Sequence, residues 1–468
     1  AIGKTTTYID LIYNDLERKY IIAVPTNILK KQVYKDLSYK GFCDEEIFMT
    51  SSITDSNLIP EEVKENIARM HKIGIHNKTK NILLDYYKEI DENPSKVAIA
   101  EECMKIIEGV DAIKNQRVIV TTHAFLLNLP ESFLKNYTII IDEDILQLAF
   151  LNNTHSISEN CLMSIIEQNI PVYSSIAREM LAEPLDVYKN IDKCKTNIQL
   201  NDDQLGDITF SENDNIFDLT KARTFVRIKD SDTKEIVLKY FCPRELASMK
   251  YIVLSATLNL NIYKKYFQDS MEVFLYPEMK AEYQGKLIQY TYHSLGRGDL
   301  ANKKNVFDWL YDYAGCGELQ VITFKGNRRL GNLSKMNKKG LHFGNTCGIN
   351  AMTGMNIGIV GTPFKAEEAY KLIASYLGAE VNNKIDTFPR THRVKYKGYS
   401  FLFITYSDPL LREIQLYSIE SELEQCVGRA RLLRKDCTVY LLSSFPCEQA
   451  ELHIRDYLNE KSVGQRIG

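Results

Sequence analysis

Short, continuous apolar runs separated by stretches of helical spacing constrain this chain more than any other feature. They fall at 20–24, 117–121, 138–141, 251–254, 319–324, 357–360, 400–406 and 438–442. A strand with one wet face alternates apolar and polar residues, whereas a strand covered on both faces reads as an unbroken apolar run. Such runs, alternating with helices, predict an α/β fold built on parallel sheets flanked by helices. At 468 residues the chain exceeds what one hydrophobic core supports, so at least two domains are expected.

With 44% hydrophobic and 25% charged residues, the composition is that of an ordinary globular protein. The apolar runs are strand-sized, far short of the roughly 20 residues that span a bilayer, so no membrane segment is expected. No charged-then-apolar leader opens the chain, and a cytoplasmic setting is the default expectation. The ten cysteines are scattered without a CxxC pair or zinc-ligand spacing and read as reduced thiols. Lys plus Arg of 58 against Asp plus Glu of 61 gives a net charge of -3. That balance excludes a protein that holds nucleic acid by global basicity and leaves room for a local groove.

Two long interruptions divide the first set of runs. The stretch 51–115 carries helical spacing, as in 61–70 and 97–107, and reads as a helical insertion. The stretch 146–243 begins helical, turns polar and acidic around 201–218, and ends in a strand pair near 224–240. The expected layout is a first domain over 1–262 with these two insertions, then a connector over about 263–285 leading into a second domain to 468.

Three elements carry chemistry. Gly3-Lys4-Thr5 matches the end of a GxxxxGK[ST] phosphate loop, in which backbone N–H groups wrap phosphates, Lys neutralises charge and the hydroxyl ligates magnesium. The first glycine of that pattern would precede Ala1, so the chain reads as a fragment; the bare tripeptide also arises at ordinary helix starts. Ile139-Ile140-Ile141-Asp142-Glu143-Asp144 is a buried strand delivering carboxylates at its C-terminal end, where open sheets bind ligands. There Asp142 would hold a magnesium shell and Glu143 would orient or deprotonate a water; an acidic turn closing a strand is the plainer alternative. Gln425-Cys426-Val427-Gly428-Arg429-Ala430-Arg431, at the end of an amphipathic helix and followed by Arg434, groups cations suited to phosphate. A solvated basic helix end is the alternative there.

In order along the chain, Gly3-Lys4-Thr5, Ala23-Val24-Pro25-Thr26, Thr121-Thr122-His123, Asp142-Glu143-Asp144, Ser255-Ala256-Thr257 and Gln425-x-x-Gly428-Arg429-x-Arg431 resemble motifs one, one-a, one-b, two, three and six of superfamily-two helicases. Val321 to Lys325 looks like motif four, and Gly348-Ile349-Asn350 to Asn356 resembles a divergent motif five. The resemblance implies two RecA-like P-loop NTPase domains with ATP and magnesium between them. It assigns nucleotide contacts to Gly3, Lys4, Thr5, Thr6 and Gly428, metal ligation to Thr5 and Asp142, and catalysis to Asp142, Glu143, Gln425, Arg429 and Arg431. It assigns contact with a DNA or RNA backbone to Pro25, Thr26, Thr122, His123, Ser255, Thr257 and Asn350.

Within that superfamily the Thr-Thr-His-Ala-Phe-Leu-Leu stretch, the Ser-Ala-Thr-Leu element and the placement of the insertions look like the XPD and DinG type, with 146–243 in the place of the arch. The chain departs from it in its cysteines, since between motifs one-a and two it has Cys43 and Cys103 where a cubane cluster needs four thiolates. Asp144 replaces the usual alanine after Asp-Glu, and the second arginine of motif six stands one residue early. The expected function is an ATP-dependent helicase or translocase acting on DNA. The rivals are a translocase that never separates strands and a nucleic-acid-binding scaffold with a vestigial ATP site.

Overall fold

In the computed structural model the residues described are 3–53, 56–73, 79–90, 96–112, 116–192, 200, 207–211, 213–230, 233–255, 258–268, 270–274, 282–303, 305–314, 319–327, 336, 341–344, 352–382 and 384–458. The fold is α/β, with two separate parallel sheets flanked by helices, the arrangement expected of two RecA-like domains. The chain divides into two compact units. One comprises Thr5–Leu258 with Glu367–Lys384; the other comprises Ala1–Lys4, Asn259–Ala366 and Ile385–Gly468.

The first unit is built on β1 (Tyr20–Val24), β2 (Ile47–Met49), β3 (Val118–Thr122), β4 (Thr138–Asp142) and a late strand, Tyr251–Leu254. All pair in parallel, and the spatial order places β1 between β3 and β4, with β2 at one edge and 251–254 at the other. Every residue of β1 is buried, which is why it reads as an uninterrupted apolar run. Helix α1 (Lys4–Asn14) contributes Tyr8, Ile9 and Ile12 to the core, and α2 (Asn27–Lys40) contributes Val33 and Leu37. Thr26 caps α2 by accepting from the Leu29 N–H, and Gly41, at φ 114, closes it in the left-handed region.

Between β2 and β3 lie α3 (Glu61–Lys72), α4 (Thr79–Ile90) and α5 (Val97–Ala112), with a small core of Ile59, Ile67, Leu83, Cys103 and Ile107. After β4 the chain enters a second subdomain through a π-helix at Gln147–Leu151. Its strands are β5 (Thr154–Ser158), β6 (Lys189–Asn190), β7 (Thr224–Lys229) and β8 (Ile236–Phe241), forming an antiparallel sheet in the order β5-β8-β7-β6. Two helices, α6 (Glu159–Glu167) and α7 (Tyr173–Ala182), pack into its core with Ile157, Phe225 and Leu238. The strand Tyr251–Leu254, hereafter β9, then returns to the parallel sheet.

Residues 367–384, deep in the C-terminal half of the sequence, belong to this first unit. Their helix, Glu367–Tyr376, is buried from Ala369 to Ser375. The Thr224 hydroxyl on β7 donates to the Leu372 carbonyl at 2.9 Å, and the Tyr376 ring meets Phe150 and Phe241 at 5.8 and 5.4 Å. Beyond it, the Asn382 side chain accepts from the Tyr188 N–H at 2.8 Å and donates to the Tyr188 carbonyl at 2.9 Å.

The second unit holds β10 (Lys286–Tyr290), β11 (Gln320–Ile322), β12 (Ile357–Val360), β15 (Thr438–Leu442) and β16 (Glu451–His453), all parallel, in the order β11-β12-β15-β10-β16. The run 400–406 was expected in a parallel sheet. It forms β14 (Tyr399–Thr405), paired antiparallel with β13 (Arg390–Tyr396) across a turn at Lys397 and Gly398, both at positive φ. That φ pattern suits a two-residue hairpin turn. The helix leading to Gln425, expected to be amphipathic, spans Pro409–Gly428 and is buried on every side from Ile414 to Ser421. The reason is that it lies between β12 and β15 on one side and the hairpin on the other, sharing one core with Ile357, Val439, Val394 and Phe403. The Tyr396 hydroxyl donates to its Glu420 at 2.8 Å.

Tyr376→Ala removes a half-buried ring from the subdomain sheet and is expected to cost about 2 kcal/mol. Hydrogen exchange should accelerate over 224–241 and stay unchanged over 438–442; uniform exchange in both segments would show that the helix does not stabilise that sheet.

Candidate functional site

The C-terminal ends of the first unit's parallel strands gather most of the residues singled out above. The buried run of β4 carries Asp142 to its last position, where the residue is 3% exposed. Tyr8, one helical turn into α1, donates its hydroxyl to Asp142 Oδ2 at 3.2 Å. The Thr5 hydroxyl hydrogen bonds to the same phenol, so one oxygen atom separates the two residues assigned to a metal. Burial first, and then the Asp142 carboxylate, push the Tyr8 phenol far above its usual range, which keeps it a hydrogen-bond donor. Tyr8 is not part of the motif pattern; its signal was its place one turn after Thr5 on the buried face of the helix.

Glu143 follows Asp142 with φ of 74°, a left-handed backbone in a residue with a Cβ. Its N–H donates to the Leu254 carbonyl at the end of β9, at 2.9 Å. The residue is partly exposed. Asp144 accepts from the Leu146 N–H at 3.0 Å and so shapes the turn that leaves β4.

His123, expected to touch nucleic acid, is 2% exposed and turned inward. Its Nε2 lies 3.0 Å from the Asp142 carbonyl, and the ring also meets the Ala23 carbonyl of β1. Burial depresses its pKa to about 4, leaving a neutral imidazole between two backbone acceptors. Thr122, just before it, is partly exposed; its hydroxyl oxygen caps the following turn by accepting from Phe125 N–H at 3.3 Å. Thr26 does the same for Leu29 at 3.2 Å. Both hydroxyls keep their own proton, which a phosphate oxygen could accept. Pro25 and Ser255 are also partly exposed, Gly3 (φ 77) and Thr6 are exposed, and Thr257 and Asn350 lie outside the described residues.

A polar cluster beside these strand ends was not anticipated. Lys30 is buried and donates to the Thr50 carbonyl at 2.5 Å, the Thr50 and Thr121 hydroxyls are 3.0 Å apart, and Asn27 donates to Ser52 at 2.9 Å. It ties α2 to the segment after β2, and that segment to the end of β3. Lys30, four residues after Thr26 on α2, was the visible sign of it.

The second unit carries the remaining candidates. Gln425 is partly buried near the end of the helix Pro409–Gly428, Gly428 is exposed, and Arg429 forms the helix cap. Arg431 is exposed, with φ of 60°. The neighbouring Ala430 carbonyl accepts from the Gly354 N–H at 3.0 Å, and Asn356 accepts from the Thr438 N–H at 2.8 Å. The end of the motif-five-like segment is thus pinned to the motif-six-like one.

Among the described residues no three His, Cys, Asp or Glu side chains converge on a metal-sized site, and no helix is long and apolar enough to cross a membrane. A carboxylate and a hydroxyl are hard oxygen donors that suit magnesium, an ion that keeps several waters and takes further ligands from phosphates. The donor set at Asp142 and Thr5 fits that ion.

Replacing Glu143 reads the backbone strain directly. Glu143→Gly should be more stable than Glu143→Ala by about 1 kcal/mol, because glycine alone adopts this φ without a Cβ penalty. Urea unfolding of the two variants checks this, and equal stabilities would show that the left-handed backbone carries no strain.

No family model matches the sequence, and no curated protein matches it. Solved structures do match. One titled "Structure of S. tokodaii Xpd4" is similar over 97% of this chain and 94% of its own, at 12% identity and a TM-score of 0.43. Another, "Truncated XPD", is similar over 57% of this chain and 89% of its own, at 15% identity and a TM-score of 0.29.

Proposed function

We propose that this chain is the ATP-hydrolysing core of a nucleic-acid motor, a helicase or translocase acting on DNA. The observation that carries the reading is the meeting of Thr5, Tyr8, Asp142 and Glu143 where a buried parallel strand ends beside the first turn of α1. A carboxylate held by the buried Tyr8 hydroxyl, a hydroxyl within one hydrogen-bonded atom of it, and a second, partly exposed carboxylate on the next residue suit phosphoryl transfer to water.

Bound magnesium would neutralise charge developing on the phosphates. Gly3, Lys4, Thr5, Thr6 and Gly428 would hold those phosphates, and Asp142 with Thr5 would hold the metal shell. Glu143 would orient the attacking water and accept its proton. Arg429 and Arg431, with Gln425, would supply planar donors to the transferred phosphoryl group. Pro25, Thr26, Thr122, Ser255, Thr257 and Asn350 would fix the sugar-phosphate backbone of a single strand without reading its bases.

Glu143→Gln should keep ATP affinity while turnover falls about a hundredfold or more, since a carboxamide takes no proton. Near-normal phosphate release by that variant would remove Glu143 from the mechanism. Arg431→Ala should lower nucleic-acid-stimulated turnover about a thousandfold, with lysine a poor substitute for the guanidinium fork. Full stimulated turnover in single alanine variants of Arg429, Arg431 and Arg434 would detach the second unit from ATP chemistry. A strand-displacement assay separates a helicase from a translocase that leaves the duplex intact.

A further inference from the structure

The C=O of Asp142 and the N–H of Glu143 belong to one peptide group, and the fold grips both ends of it. The N–H donates to the Leu254 carbonyl of β9 at 2.9 Å. On the other side, the registered pairing of β1 with β4 ends at Ala23 opposite Ile141, one residue short of Asp142. There the His123 ring takes over, with Nε2 3.0 Å from the Asp142 oxygen. His123 reaches that place because Thr122 ends β3 and caps the short helix His123–Leu126, which sends the ring across β1 toward β4. A peptide plane held at both ends cannot flip, and its orientation leaves Glu143 at φ 74.

We propose that His123 is a positioning residue: by donating to the Asp142 carbonyl it locks the 142–143 peptide and so holds the Glu143 carboxylate where it meets water. The catalytic half of this statement rests on the reading of Glu143 given above; the locking half does not. Strain in a left-handed non-glycine residue persists only where its surroundings over-determine it, and the two hydrogen bonds on one peptide supply that determination. A carbonyl only accepts, so the contact requires a proton on Nε2. Glutamine, whose amide nitrogen reaches about as far along the side chain as Nε2, preserves the donor, whereas phenylalanine preserves the ring without it.

The test is a set of double variants read by urea unfolding, without reference to activity. In the native background Glu143→Gly should exceed Glu143→Ala about fivefold in the folded-to-unfolded ratio. In His123→Phe, and in His123→Ala should the larger ring disturb the site, that advantage should vanish, because the released peptide lets either residue relax to negative φ. In His123→Gln it should remain. An advantage that survives in His123→Phe and His123→Ala, or that is lost in His123→Gln as fully as in His123→Ala, overturns the proposal. Turnover supplies the second readout: His123→Phe should lower kcat about a hundredfold while KM for ATP moves less than about twofold, with His123→Gln recovering most of the loss. A native protein without ATPase activity would remove the proposed function and leave the unfolding result standing.

Discussion

The chemistry assigned to this chain depends on one peptide group, the one joining Asp142 to Glu143. A parallel strand ordinarily stops by running out of partners, and its last residues then take whatever conformation the loop prefers. Here β4 stops between one acceptor and one donor that outlast it. β9 supplies a carbonyl to the Glu143 N–H, and an imidazole supplies the donor that β1 no longer provides to Asp142. The carboxylate of Asp142 is held separately, from α1, by Tyr8. Backbone and side chain of one residue are therefore fixed by different elements, so two neighbouring carboxylates are presented in different directions, one buried and one open to water. Pre-organisation of that kind lets such groups act without reorganising as charge develops.

Much of the fold was legible because strands covered on both faces have no polar alternation. The runs at 20–24, 357–360 and 438–442 coincide with β1, β12 and β15, and the run at 251–254 with the partly buried edge strand β9. β10 was invisible for a physical reason. It has a strand on either side in the second sheet, yet Lys286 and Gln289 break its apolar character. Gln289 is fully buried, donating to the carbonyls of Ser443 and Phe445 and accepting from the Cys447 N–H. A polar residue paired by a distant loop costs little in a core, and hydropathy registers only the polarity. The hairpin shows the converse: 400–406 is apolar enough for a covered strand, and what places it outside the sheet is its partner at 390–396.

The candidate site divides in the same way. Asp142 and Glu143 were readable because an apolar run ending in carboxylates is a local pattern. Tyr8 lies 134 residues from Asp142, and His123 lies 19 from it, so both roles exist only once the sheet is assembled. The resemblance to the helicase motifs implied that the histidine beside Thr122 would face nucleic acid along with Thr122 and Thr26. The helix that begins at His123, capped by Thr122, turns the imidazole inward while Thr122 stays partly exposed, and the buried ring meets backbone carbonyls instead.

The segment 367–384 was beyond any local reading. Its helix is apolar enough to belong to either unit, and what decides is a sheet formed by residues more than a hundred positions earlier. The chain leaves the second unit after Ala366 and returns to it at Ile385. The subdomain between β4 and β9 is therefore not a self-contained insertion on a core made of flanking segments. Cutting out 146–243 would strip Thr224, Phe150, Phe241 and Tyr188 from the face that Leu372, Tyr376 and Asn382 cover, leaving a buried helix exposed on two tethers. A deletion that isolates the contribution of this subdomain has to remove 367–384 as well.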